Sequence, residues 1–97
     1  MLILGFNQIK AFKSKHANSR TSLSSWETAV RIAQWQNIEE IRRDFKSVDY
    51  IPFRDLYCFD LKGNKIRLIA AVNYQKQTLY VKEIFTHAEY DKWNKAK

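Results

Sequence analysis

The sequence predicts an α+β domain, and three observations carry that prediction. Up to about residue 46 apolar residues recur at helical spacing. Beyond Pro52 they alternate with polar residues at a period of two. Near residue 86 a capping signature opens one more short helix. Helices first and strands afterwards indicate α+β rather than an alternating α/β chain.

Met1-Leu2-Ile3-Leu4 reads as a short strand. Asn7 to Lys15 reads as an amphipathic helix, with Ile9 and Phe12 inward and Lys10 and Lys13 outward. Ala17 to Arg20 is a break. From Thr21 to Trp35 the period is helical, because Leu23, Trp26, Val30 and Ala33 fall 3, 4 and 3 residues apart. Asn37 is placed to cap a second short helix, with Glu40 at the capping-box position and Ile38, Ile41 and Phe45 as its apolar residues.

Pro52 marks the change of character. Leu56 to Asp60 follows as a strand. Lys62-Gly63-Asn64 is turn chemistry, with Gly63 or Asn64 suited to a positive φ. In Lys65 to Tyr74, residues Ile66, Leu68, Ala70, Val72 and Tyr74 point one way, and Arg67, Ile69, Ala71 and Asn73 the other. A hairpin loop over Gln75 to Thr78 would return the chain as a strand from Leu79 to Phe85. That loop sets Tyr74 opposite Leu79, Val72 opposite Val81, Ala71 opposite Lys82 and Arg67 opposite Thr86. Arg67, Lys82 and Thr86 would then share one face. Thr86-His87-Ala88-Glu89 is a capping box, opening a helix to about Trp93, with Asn94 to Lys97 expected to fray.

Ninety-seven residues form one domain over 1–97, with no room for a second core. Hydrophobic residues make up 45% of the chain and aromatic residues 14%, which excludes a disordered tail. Basic groups outnumber acidic ones 17 to 10, so a polyanion or an acidic protein is the expected partner. Cys58 is the only cysteine, which excludes an internal disulfide and a cysteine-rich metal site. It sits in the apolar run Leu56-Tyr57-Cys58-Phe59, where burial is expected rather than nucleophilic duty, and it fits a reducing compartment. The apolar start is too short for a signal h-region, and no segment approaches membrane-spanning length, so a cytoplasmic protein without a membrane partner is expected. Neither a cofactor nor a metal is expected.

Three segments carry a family resemblance. They are Gly63-Asn64-Lys65-Ile66-Arg67-Leu68-Ile69, Tyr80-Val81-Lys82 and Thr86-His87-Ala88-Glu89-Tyr90-Asp91. In this order and spacing they resemble the HigB family of bacterial toxins, within the RelE/ParE-like group of small basic ribonucleases. The upstream half fits through Phe12, Lys15-His16, Leu23, Trp26, Ala33 and Trp35. Ala17 stands where the family often has proline, and Asp60 where it often has asparagine. The resemblance implies a small twisted antiparallel sheet, N-terminal helices packed on one side and a short C-terminal helix. It implies an mRNA interferase that cuts mRNA, commonly on the ribosome. It further implies silencing by a HigA-type antitoxin with a helix-turn-helix domain, through which alone DNA would be contacted.

The chemistry sets its own requirements. Metal-free RNA cleavage uses the 2′-OH as nucleophile, so a base must take its proton and an acid must protonate the leaving 5′ oxygen. Cations must hold the charge gathering on the phosphoryl oxygens. Arg67 suits that last task through its planar fork. His87 suits proton transfer near neutrality, and the helix dipole argues for a neutral imidazole there. Tyr90 is suited to stacking, or to moving a proton if nearby cations lower its pKa. Lys65 and Lys82 read as phosphate binders, with Lys15, Arg54 and Lys13 extending the basic surface. Trp26 and Trp35 fit the core better than a stacking platform, and His16 stands alone at a helix junction. Three other readings stay open at this point: a non-catalytic RNA or ribosome binder, a gyrase-directed interaction toxin on the same fold, and a basic DNA-binding module.

Overall fold

The computed structural model describes residues 1–63 and 65–95. Asn64, Ala96 and Lys97 lie outside it, and with them part of the predicted turn and of the expected fraying end. The elements run β1 (Leu2–Leu4), α1 (Phe6–Lys15), a 3-10 turn (Ala17–Ser19), α2 (Arg20–Ile32), α3 (Ile38–Asp44), β2 (Asp49–Ile51), β3 (Leu56–Leu61), β4 (Ile66–Asn73), β5 (Thr78–Thr86) and α4 (His87–Lys95).

The helical half follows its apolar stripes. Ile9 and Phe12 of α1 and Leu23, Trp26 and Val30 of α2 are buried. Helix α2 stops at Ile32 rather than at Trp35. Its last carbonyls are taken from outside, as the Met1 nitrogen donates to the oxygens of Val30 (2.8 Å) and Ala33 (2.7 Å). Trp35 is buried from the extended segment beyond, with its Nε1 donating to Asp44 at 2.8 Å. Asn37 caps α3 as expected, accepting from the Glu40 amide at 3.0 Å. The Glu40 carboxylate returns to the Gln36 amide instead of that of Asn37, one residue outside the standard box.

Among the described residues five strands lie in the order β1-β5-β4-β3-β2. Strands β2 to β5 form an antiparallel meander, and β1 adds to β5 in parallel, so the sheet is mixed. Strand β2, Asp49-Tyr50-Ile51, has neither the apolar run that marks β1 nor the length to show an alternation.

The register of β4 with β5 corrects the expected one. The loop is Tyr74 to Gln77, closed by Gln77 at φ 50° with its amide donating to the Tyr74 carbonyl at 3.3 Å. Val72 therefore faces Leu79, Ala71 faces Tyr80 and Arg67 faces Phe85. A register shift follows between Ile69 and Ala70, whose partners are Glu83 and Val81, which leaves Lys82 as the extra residue of a bulge. Thr86 pairs with Ile66, so it turns to the face opposite Arg67.

Helices α1, α2 and α3 bury one face of the sheet around Trp26, Phe59, Leu68, Leu79 and Val81. Helix α4 covers part of the other, where Ile51, Cys58 and Ile69 pack with Phe85, Tyr90 and Trp93. No helix among the described residues is long and apolar enough to cross a membrane.

Gly5 joins β1 to α1 at φ +76°, and a Cβ there would run into the Val81 carbonyl of the neighbouring strand. Gly5→Ala combines a left-handed alanine with a backbone clash. It is expected to lower stability by at least about 2 kcal/mol, read as a fall of roughly 10 °C in Tm by circular dichroism.

Candidate active site

The site lies on the sheet face under α4. The β3–β4 pairing sets Asp60 directly opposite Arg67, and their side chains form an ion pair. Both are largely enclosed, with side-chain exposures of 16% and 14%. The Arg67 guanidinium also lies 5.3 Å from the centre of the Tyr90 ring, a cation–π contact. Its Nε is buried with no hydrogen-bond partner among the described residues. Asp60, which stands where the family often has asparagine, is thus the partner of Arg67. The signal was present, since the two residues are symmetric about the Lys62–Lys65 turn.

Tyr90 does not have the lowered pKa that neighbouring cations suggested. Burial pushes the phenol up, the neighbouring Cys58 adds to this, and Arg67 only opposes it in part. A protonated phenol donates a hydrogen bond or a proton, and does not act as a base at neutral pH. Cys58 is buried as expected, and its thiol is pushed up to about 12, chiefly by desolvation. It is therefore not a thiolate nucleophile.

His87 is the first residue of α4 and is exposed, with Nδ1 3.2 Å from the Asp91 carboxylate one turn on. Asp91 went unassigned in the sequence reading, although its i,i+4 spacing from His87 was legible. In a neutral imidazole, an Nδ1–H donated to Asp91 leaves Nε2 as the acceptor. The capping box holds both ways: the Thr86 amide donates to Glu89 Oε1 at 2.8 Å, and the Glu89 amide to Thr86 Oγ1 at 3.3 Å. The Thr86 amide holds the Glu89 carboxyl below its ordinary range. Thr86 and Glu89 thus build the helix start from which His87 and Tyr90 project.

The other cations separate into groups. Lys82, in the bulge, lies 4.4 Å over the Tyr80 ring, which shares the Arg67 face. Arg54 stacks at 4.5 Å on Trp93, toward the far end of α4. Lys65 and Lys15 border clefts that both contain His16, on the opposite face. Lys13 is tied to Glu27 at 3.3 Å and Ser24 at 3.0 Å, so it packs α1 on α2 instead of extending the basic surface. The structure thus joins Arg67 to Tyr90, sets His87 one turn from Tyr90, and disperses the lysines around them. Trp26 and Trp35 are buried in the core.

A basic domain of this fold, with an arginine and a phenol held together between its sheet and its last helix, falls in the class of small RelE-like toxins. More particularly, the chain belongs to the HigB toxin family. Residues 19–93 match the family model, described as the RelE-like toxic component of a toxin-antitoxin system. It is 34% identical over 79 residues to the mRNA interferase HigB of Escherichia coli O6:H1, covering 80% of this chain and 77% of that one. It is 29% identical over 84 residues to the mRNA interferase toxin HigB of Escherichia coli K12, covering 86% and 81%. The mRNA interferase HigB of Shigella flexneri matches over the same shares at the same identity.

Proposed function

We propose that this toxin is a metal-independent endoribonuclease that cleaves mRNA on the translating ribosome, in the cytoplasm, and is silenced by a HigA-type helix-turn-helix antitoxin. The juxtaposition of Arg67 and Tyr90 in a chain related to named mRNA interferases carries this reading. Arg67 takes the non-bridging phosphoryl oxygens, where negative charge grows in the transition state. His87, oriented through Nδ1 by Asp91, takes the 2′ proton at Nε2. Tyr90, protonated, donates to the leaving 5′ oxygen. Lys82, Lys65, Lys15 and Arg54 hold the RNA backbone. In the free toxin Asp60 occupies the guanidinium, so substrate phosphate replaces a carboxylate on the same fork.

The test is expression under tight control with mapping of cellular mRNA 5′ ends. New ends clustered at particular positions within reading frames are expected, appearing with growth arrest. Arrest with intact mRNA would remove the nuclease reading, and DNA damage in its place would favour a gyrase-directed toxin.

A further inference from the structure

On the sheet face opposite Arg67, two adjoining clefts of about 170 and 160 Å³ share Phe12 and His16 as walls. His16 stacks on Phe12, with ring centroids 4.4 Å apart, and still lines both clefts. Each has about the volume that accommodates one aromatic ring. Lysines border them: Lys15 from α1, and Lys62 and Lys65 from the β3–β4 turn. Among the described residues Glu89 is the one carboxylate lining them, and one of its oxygens is engaged by the Thr86 amide. The Lys62 ammonium donates to the Asn18 carbonyl at 2.8 Å, beside the same cleft. An aromatic ring in recesses bordered by lysines suits the base and phosphates of a nucleotide.

The position ties this place to the candidate active site. Ile66 and Thr86, a cross-strand pair, line one cleft. The next residue of each strand belongs elsewhere: Arg67 lies on the other face, and His87 begins α4. One step around the end of the β4–β5 ladder therefore leads from the guanidinium to His16. A single strand can follow that edge, whereas a stacked duplex cannot place a base in so small a recess.

We propose that the His16 clefts form a nucleotide subsite for single-stranded RNA flanking the bond at Arg67, with the base on His16 and the adjoining phosphates on Lys65 and Lys15. This rests on the reading of the chain as an RNA-directed toxin, and it assigns His16 a task that the cleavage chemistry does not require.

The test is a fluorescence-anisotropy titration of the full chain with a short 2′-O-methyl RNA, which lacks the nucleophile and so is bound without being cut. His16→Ala is expected to weaken binding about tenfold, whereas His16→Phe, which retains a stacking ring, stays near wild type. Lys65→Gln, at an exposed position, is expected to reduce the slope of log affinity against log salt by about 0.7. That arm stands even if His16→Ala fails to fold. Wild-type affinity and salt slope in folded His16→Ala and Lys65→Gln would overturn the subsite, as would failure of the wild type to bind this RNA at low salt. Intact cellular mRNA during growth arrest would instead sink the cleavage reading while leaving a positive titration in place.

Discussion

Arg67→Ala is expected to lower RNA cleavage by about 10²- to 10³-fold, the loss typical of removing one donor from a charge-stabilising site, and to relieve growth arrest. The argument rests on where the guanidinium sits. It lies between the sheet and α4, against Asp60 and the ring of Tyr90, with little exposure to water. A planar fork in such a place can exchange a carboxylate for a phosphate with little rearrangement. The same enclosure means that the variant leaves Asp60 without its cation, at about 1–3 kcal/mol. Cleavage must therefore be compared per folded molecule, with thermal unfolding followed in parallel. Arg67→Lys keeps the charge but loses the fork, and should recover folding better than turnover. Asp60→Asn separates the two roles. A catalytic Arg67 freed from its carboxylate should bind substrate more tightly, lowering KM, although the fold weakens. If Arg67 were only structural, both variants would lose stability while cleavage per folded molecule stayed at the wild-type value.

Trp26→Ala is expected to lower stability by about 3–5 kcal/mol, the range for emptying a large aromatic from a core. Trp26 is only 1% exposed and meets Phe59 of β3 edge-on, with ring centroids 5.5 Å apart. For a domain of this size the Tm should fall by at least roughly 15 °C. That loss is a large part of the total stability of a small domain, so much of the variant should be unfolded at 37 °C. Trp26→Phe should lose much less. Its smaller ring keeps contact with Phe59 and removes an indole N–H that has no hydrogen-bond partner among the described residues. Far-UV circular dichroism during heating measures both variants. A Trp26 that served as an RNA-stacking platform would show the reverse, with unfolding unmoved and binding lost.

What could be read in advance followed the range of the interactions. The stripe of Leu23, Trp26 and Val30, the Asn37 cap and the Thr86–Glu89 box all involve residues within a few positions of one another. Each took its expected place in the structure. The β4 alternation survived as well, because a buried face penalises any slip. The β4–β5 partners did not. Their register depends on Tyr74 entering the loop, Gln77 taking a positive φ and Lys82 bulging out, and no local pattern encodes that combination. Arg67, His87 and Tyr90 were legible as chemistry-bearing residues. Asp60 and Asp91 were present as spacings but not recognised as partners.

The amino-acid sequence by itself determined the α+β class, the family motifs, the basic surface and the residue types suited to phosphodiester chemistry. Those follow from composition and short-range periodicity. Only the tertiary structure decided that β1 joins β5 in parallel, that α4 lies across the sheet from the other helices, and that Arg67 is enclosed with Asp60 and Tyr90. It also turned the expected effect on Tyr90 around, because desolvation beneath α4 outweighs the nearby cation. Burial and cross-strand proximity arise from which surfaces meet in space, and a one-dimensional pattern does not contain them.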